Sequence, residues 1–274
     1  ACLKDLDLRQ IPIIMTSAME ELDAVVKCVE LGAEDYLTKP VNPILLRARV
    51  NASLEKKRLR DEQRKLFRTF ATKEVAEELL RTGFSLGGQI VTASVLIADI
   101  RSFTSIAESQ DPSDSIELLN QYFSMMFDAV SHNGGIINQI VGDGLLAVFG
   151  APIFYEDHRG RAVKAGLQML EQLKVFYQNQ LAQEKTAIRI GIGITSGKMV
   201  AGYTGTHNRA IYTCIGDTVN LADRIEEYTK EALRPLLIDE YTREGLSENF
   251  KVEDLGKIVF KGKNQAVSVF AVVS

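Results

Sequence analysis

"NQIVGDGLLAVFG", Asn138 to Gly150, sets an aspartate between two glycines with apolar, β-prone residues on either side. The pattern predicts two strands joined by a tight turn at Gly142–Gly144, because Asp and Gly are ordinary hairpin residues. Asp143 then has two explanations, a solvated turn residue or a metal-binding carboxylate. The choice depends on whether a second acid arrives from elsewhere in the chain.

Upstream of the hairpin, "IVTASVLIADI" (Ile90–Ile100) reads as a buried strand. "DPSDSIELLNQYFSMMFDAV" (Asp111–Val130) reads as a helix. Pro112 suits its first turn, and Ile116, Leu119, Phe123, Met126 and Val130 fall at helical spacing. Downstream, "HRGRAVKAGLQMLEQLKVF" (His158–Phe176) is a second helix. "AIRIGIGITSGKMVAG" and "AIYTCIG" are strands, and "DTVNLADRIEEYT" (Asp217–Thr229) is a third helix. The order β-α-β-β-α-β predicts an α+β fold, a ferredoxin-like or palm-like core with an antiparallel sheet. In that order the first strand lies beside the hairpin.

Asp99 ends the apolar run Val95–Ala98. An aspartate there is costly unless something satisfies its charge. If the strand end and the hairpin tip meet, Asp99 and Asp143 form an oxygen-rich site suited to Mg²⁺ or Mn²⁺. Either acid alone is better explained as a cap or a turn; the pair favours a metal. The turn after Asp99, "IRSFT", has backbone N–H groups able to cradle phosphate oxygens. "GIGITSGKM" is not a Walker loop, since Ile192 and Met199 occupy its diagnostic positions. Asn220 and Arg224 stand one helical turn apart and share a face. An amide for a sugar and a guanidinium for a phosphate fit nucleotide chemistry, though a lone arginine more often pairs with a surface glutamate. Lys261, in "VFKGKN", is a further cation for phosphate.

The motifs "VLIADIRSFT", "VGDGLLAVFG", "YTCIGDTVNLADR" and "FKGK" resemble the class III nucleotidyl cyclase catalytic domain, in the family's order, across nearly all of residues 85–274. The resemblance implies that Asp99, Asp143 and the Ile100 carbonyl hold two metal ions, Mg²⁺ or Mn²⁺, per active site. It implies that amides around Ser102, Phe103 and Thr104 hold the terminal phosphates, with Lys261 and Arg209 on the triphosphate. By the same resemblance Asn220 orients the ribose, Arg224 stabilises the transition state, the site forms between two protomers of a homodimer, and base choice falls to Gln139 and Thr213. Gln139 departs from the lysine usual in adenylyl cyclases and its amide suits either purine. Thr213 matches an adenylyl subtype, so ATP is the expected substrate. A guanylate or mixed cyclase, or a nucleotide-binding homologue with weak catalysis, is the alternative.

The N-terminal segment reads as strand ("IPIIMTSA"), helix (Ala18–Ala33), strand ("EDYLTKP") and helix, a parallel α/β pattern. "PIIMTSA" with "GAEDYLTKP" resembles the last two strands of a response-regulator receiver domain. By that likeness Ser17 touches a phosphoryl group, Lys39 pairs with the phosphoaspartate, Tyr36 is the rotating aromatic and Lys39–Pro40 is cis. The phosphoacceptor would lie upstream of Ala1, and a histidine kinase is the implied partner. Residues 44–80 lack glycine and proline, which predicts a long helix. Leu45, Ala52, Leu59 and Leu66 repeat every seven residues, but Arg49, Lys56 and Gln63 fill the complementary seam. A solvated connector and a coiled coil between protomers are both consistent with that pattern. The expected organisation is a partial receiver at 1–54, a helical linker at 55–84 and a cyclase domain at 85–274.

Composition bounds the alternatives. A net charge of −4 leaves no broad basic field for nucleic acid. Three cysteines (Cys2, Cys28, Cys214) form no disulfide framework, which suits the cytoplasm. No apolar run is long enough for a membrane span.

Overall fold

A computed structural model of the chain describes residues 11–18, 26, 30–70, 86–182, 185–206, 209–263 and 265–273. The chain divides into two compact units, Ala1–Lys73 and Glu74–Ser274.

In the first unit β1 (Ile14–Ser17) and β2 (Asp35–Thr38) pair in parallel, with Ser17 opposite Thr38. The Lys39 N–H donates to the Ser17 carbonyl at 2.8 Å, so both residues sit at the C-terminal edge of the pair. The Lys39–Pro40 peptide is cis. The helix expected over Ala18–Ala33 lies largely outside the described residues. Helix α1 (Pro43–Phe70) starts where Asn42 Oδ1 accepts from the amides of Ile44 (2.9 Å) and Leu45 (3.3 Å). Proline at the first position loses no helical hydrogen bond there. The helix passes unbroken through the 54/55 boundary expected from sequence. Three of its cations reach back to the β2 segment: Arg49 to Asp35 at 3.1 Å, and Lys56 and Arg60 to Glu34 at 2.7 and 2.9 Å. Two of the polar seam residues, Arg49 and Lys56, together with Arg60, therefore anchor α1 to its own unit.

The second unit holds β3 (Gly87–Ile100), α2 (Phe103–Ser109), α3 (Pro112–His132), β4 (Ile136–Val141), β5 (Gly144–Phe149) and α4 (His158–Ala182). It continues through β6 (Ile190–Thr206), β7 (Arg209–Ile215), α5 (Asp217–Ala232), β8 (Leu236–Asp239), α6 (Glu240–Glu244), β9 (Lys251–Ile258) and β10 (Val267–Val273). Its eight-stranded sheet runs β4-β5-β3-β6-β8-β10-β9, with β7 paired to β6. The pairings are antiparallel except that β6 and β8 run parallel. This is a mixed α+β fold with a mostly antiparallel sheet, and β3 lies central between β5 and β6.

Helices α3 and α4 pack Tyr122, Met126, Ala129, Val163 and Met169 against Leu96, Ala98, Ile100, Ile192 and Ile194 of the sheet. The buried stripe of α3 runs through Leu118, Tyr122, Met126 and Ala129, so Ile116 is left exposed, contrary to the spacing reading. The aromatic body of Tyr122 takes the central place that spacing assigned to the purely apolar residues. Helix α5 covers the other face, with Leu221 and Ile225 against Leu237, Val269 and Ala271. Gly193 lets it approach closely: a Cβ there would collide with the Ala222 carbonyl and the Glu226 amide of α5. The glycines of "GIGITSGKM" thus serve helix-on-sheet packing.

Candidate active site

The β3–β5 register sets Ala98 opposite Leu145, which brings Asp99 to the hairpin tip. Val141 pairs with Gly144 around a two-residue loop, and Gly142 takes φ 63° at its first position, where a side chain would be strained. A Cβ on Gly144 would lie 3.3 Å from Asp99 Oδ2. Asp99 and Asp143 are thus neighbours, both half-buried. Burial, and then the charge of Asp143, push the Asp99 carboxyl up to about 6. Asp143 Oδ2 is buried and has no hydrogen-bond partner among the described residues. Two adjoining acids with an orphaned buried oxygen are a poor arrangement by themselves and a good one for a hard divalent cation. Among the described residues no cluster of three His, Cys, Asp or Glu surrounds them. The remaining ligand positions of such an ion fall to backbone carbonyl, water and substrate oxygens. Ser102 follows in the left-handed conformation (φ 56°), and Phe103 and Thr104 open α2. Ile100 ends β3, and its side chain is buried.

A second cluster forms on α5. Asn220 is exposed and Arg224 half-buried. A Cβ on Gly262 would stand 3.4 Å from Arg224 Nη2, so the guanidinium lies over the Phe260–Lys263 turn that also carries Lys261. An ion pair of Lys263 with Asp217 ties that turn to the start of α5. Arg224 makes no ion pair among the described residues, so the surface-glutamate explanation does not apply to it. Asn138 Nδ2 donates to the Tyr212 carbonyl at 3.0 Å, which ties together β4 and β7, the strands that carry Gln139 and Thr213. Arg209 begins β7 opposite Thr206; its side chain lies outside the described residues. Ser17, Tyr36 and Lys39 belong to the first unit.

The two clusters do not face each other within the chain. Asp99 pairs across the sheet with Gly191. A Cβ on Gly191 would run into Arg101 Nη2, Thr229 Oγ1 and Glu226 Oε1, so that side of α5 abuts the carboxylate end of β3. Arg224 is two residues before Glu226, and positions two apart point to opposite sides of a helix.

Sequence reading passed over Arg101, Glu226, Thr229 and Tyr122. Glu226 is 6% exposed and pushed up to about 7, by burial first and then by the Asp99 charge. Arg101 is lowered by burial, with the charges of Glu226 and Asp99 opposing. The Tyr122 hydroxyl is buried without a hydrogen-bond partner among the described residues, and burial together with the nearby acids raises it. No local pattern marks these residues; Arg101 and Glu226 meet across 125 positions of sequence.

Comparison with known proteins agrees with the fold. A 34%-identical relative, an uncharacterised protein of Mycobacterium bovis, aligns over 199 residues, 73% of this chain and 34% of its own length. The chain thus spans about a third of the length of this curated relative. The adenylyl cyclase CyaB of P. aeruginosa superimposes with a TM-score of 0.64 at 32% identity, covering 69% of this chain and 97% of that one. The guanylyl cyclase Cya2 does so with 0.64 at 33%, covering 68% and 94%. Residues 88–273 match the adenylate and guanylate cyclase catalytic domain family, and the chain belongs to that family.

Proposed function

We propose that this chain is an adenylate cyclase, converting ATP to 3′,5′-cyclic AMP and pyrophosphate at sites shared between two protomers of a homodimer. The observation that carries the shared site is the placement of the acidic and the cationic clusters on opposite sides of α5. One copy alone would not close them on a single nucleotide. An exposed apolar row supports a second copy as the partner. Ile90, Val200 and Ile215 pair directly across β3, β6 and β7 and are 76%, 44% and 61% exposed. Covering such a row is favourable by roughly 25 cal/mol per Å² of apolar surface.

In this reading Asp99, Asp143 and the Ile100 carbonyl of one protomer hold two Mg²⁺ or Mn²⁺ ions. Bound there, the ions lower the pKa of the ribose 3′-hydroxyl and steady the triphosphate. The amides of Ser102, Phe103 and Thr104 receive terminal phosphate oxygens. Asn220 of the other protomer orients the ribose. Its Arg224 meets charge that grows as the 3′-oxygen bonds to the α-phosphorus and pyrophosphate leaves. Lys261 and Arg209 hold the triphosphate. Gln139 and Thr213 read the base, with Thr213 accepting from the adenine amino group. A guanylyl or mixed specificity is the second reading, favoured by the Gln139 amide, which can pair with either purine.

The first unit is the end of a receiver domain, with Ser17, Tyr36 and Lys39 as its switch residues and α1 as the connector. Phosphorylation by a histidine kinase changes how the cyclase domains meet, and the protein works in the cytoplasm. The parallel β1–β2 pair with Ser17 beside Lys39 supports this reading. No helix among the described residues is long and apolar enough to cross a membrane.

Purified chain incubated with ATP or GTP and Mn²⁺, assayed for cyclic product and pyrophosphate, tests the activity. Cyclic AMP from ATP is the expected result. Product from GTP alone reverses the base assignment. Nucleotide binding without product overturns the enzyme reading.

A further inference from the structure

Arg101 stands two residues after Asp99. Its N–H donates to the Arg189 carbonyl at 2.7 Å, which holds the backbone at the mouth of β3. Its side chain turns to α5, where Nη1 lies 3.5 Å from Glu226 Oε1 and Nη2 donates to Thr229 Oγ1. Thr229 Oγ1 in turn donates to the Glu226 carbonyl. All three groups are withdrawn from solvent, the Arg101 and Glu226 side chains being 19% and 8% exposed. They converge over Gly191, the cross-strand partner of Asp99, where only a residue without a Cβ leaves room. A buried ion pair is weak evidence of stability, because desolvation offsets much of the attraction. Its location invites another role.

We infer that Arg101, Glu226 and Thr229 form a clamp that positions both half-sites of a protomer at once, the carboxylate end of β3 and the Asn220–Arg224 face of α5. The inference rests on the shared-site reading above. Glu226 is two residues beyond Arg224 and six beyond Asn220, on the same rigid helix. Asp99, Ile100 and Arg101 form one continuous strand end. In the dimer those two half-sites belong to different active sites. The clamp is therefore the short mechanical path between them, and a shift at one end is felt at the other. Arg101, Glu226 and Thr229 are positioning residues; none is placed against substrate.

The test uses mixed dimers of the full chain. One protomer carries D99N/D143N and supplies only Asn220 and Arg224. Its partner carries N220A/R224A and supplies only the carboxylates. A single working site results. E226Q is then placed in one protomer or the other, so the total composition is the same in both arrangements. In the Asn220/Arg224 donor it lowers kcat, by about tenfold, with the Mn²⁺ requirement unchanged. In the carboxylate donor it raises the Mn²⁺ concentration needed for half-maximal rate, by a similar factor. T229V, which removes only a hydroxyl, shows the same split at smaller size and covers the case of E226Q folding poorly. A loss identical in both arrangements means a purely structural ion pair and overturns the clamp. An inactive mixed dimer before E226Q is added overturns the shared-site reading, and the clamp with it.

Discussion

The carboxylate end of β3 and the outer face of α5 are opposite in nearly every physical respect. At the first, two half-buried acids crowd each other, and one oxygen of Asp143 is buried without a hydrogen-bond partner among the described residues. At the second, Arg224 and Lys261 make no ion pair among the described residues, and Asn220 is exposed. One end has negative charge with too little solvent, the other a guanidinium and an amide without a charged partner among the described residues. Each is poorly satisfied alone. They lie on opposite sides of α5, and in the proposed reading divalent cations and a polyphosphate satisfy both when a second copy supplies the other half of the site.

The largest expected effect is at the acids. D99N or D143N lowers cyclase activity by roughly a thousandfold or more, measured as cyclic product per minute. The stability change runs the other way. The folded protein raises the Asp99 carboxyl to about 6, above its ordinary value, so its favourable contribution is present below that ordinary value and lost as pH rises through about 6. At pH 7.5 without metal, D99N therefore melts higher than the parent. Mn²⁺ raises the melting temperature of the parent but not of D99N. A D99N protein that melts lower and still responds to Mn²⁺ would break the contrast.

R224A comes next. Rate falls about 10²–10³-fold, the size expected for removing one donor to developing charge. Melting temperature barely changes, because no ion pair is lost. A large fall in melting temperature would mean that Arg224 serves the fold.

G193A attacks the helix between the two ends. The new Cβ would meet the Ala222 carbonyl and lie 2.9 Å from Glu226 Cα, so α5 must move. Overpacking of this kind costs about 1–3 kcal/mol, read as a lower urea midpoint, and activity falls with it.

The smallest effect on activity comes from a buried acid that does have partners. Asp239 Oδ1 accepts from the Thr242 amide at 2.9 Å, the Thr242 hydroxyl at 2.5 Å and the Ser196 amide at 3.3 Å. Burial still pushes it up to about 6. Its favourable contribution is present below about pH 4 and lost as pH rises through 6. D239N keeps the acceptor and drops the charge. Thermal melts should show it gaining on the parent between pH 4 and 7, by at most about 3 kcal/mol, with activity kept. Equal pH dependence in both proteins would exclude Asp239 as the source.

Much of this was legible in the chain. Central strand, hairpin and α5 follow from short-range patterns, and Pro112 marks the start of α3. The four short motifs pointed to the two acids and to Asn220 with Arg224. Other parts were not legible. The four-residue β8 carries too little periodicity to be read, and it finds its place only in the assembled sheet, parallel to β6 and antiparallel to β10. The seam cations of α1 looked like solvated residues until Glu34 and Asp35 supplied their partners.

By itself, then, the sequence determined which elements form and which reactive groups each one carries, because alternation, turn chemistry and helical spacing act among neighbours. Tertiary packing alone decided which of those groups share a face. Gly191 and Gly193 admit α5 against the sheet, and that approach buries Glu226 toward Asp99 while turning Arg224 away. Contacts between residues more than a hundred positions apart leave no local pattern, so their outcome appears only once the chain has closed on itself.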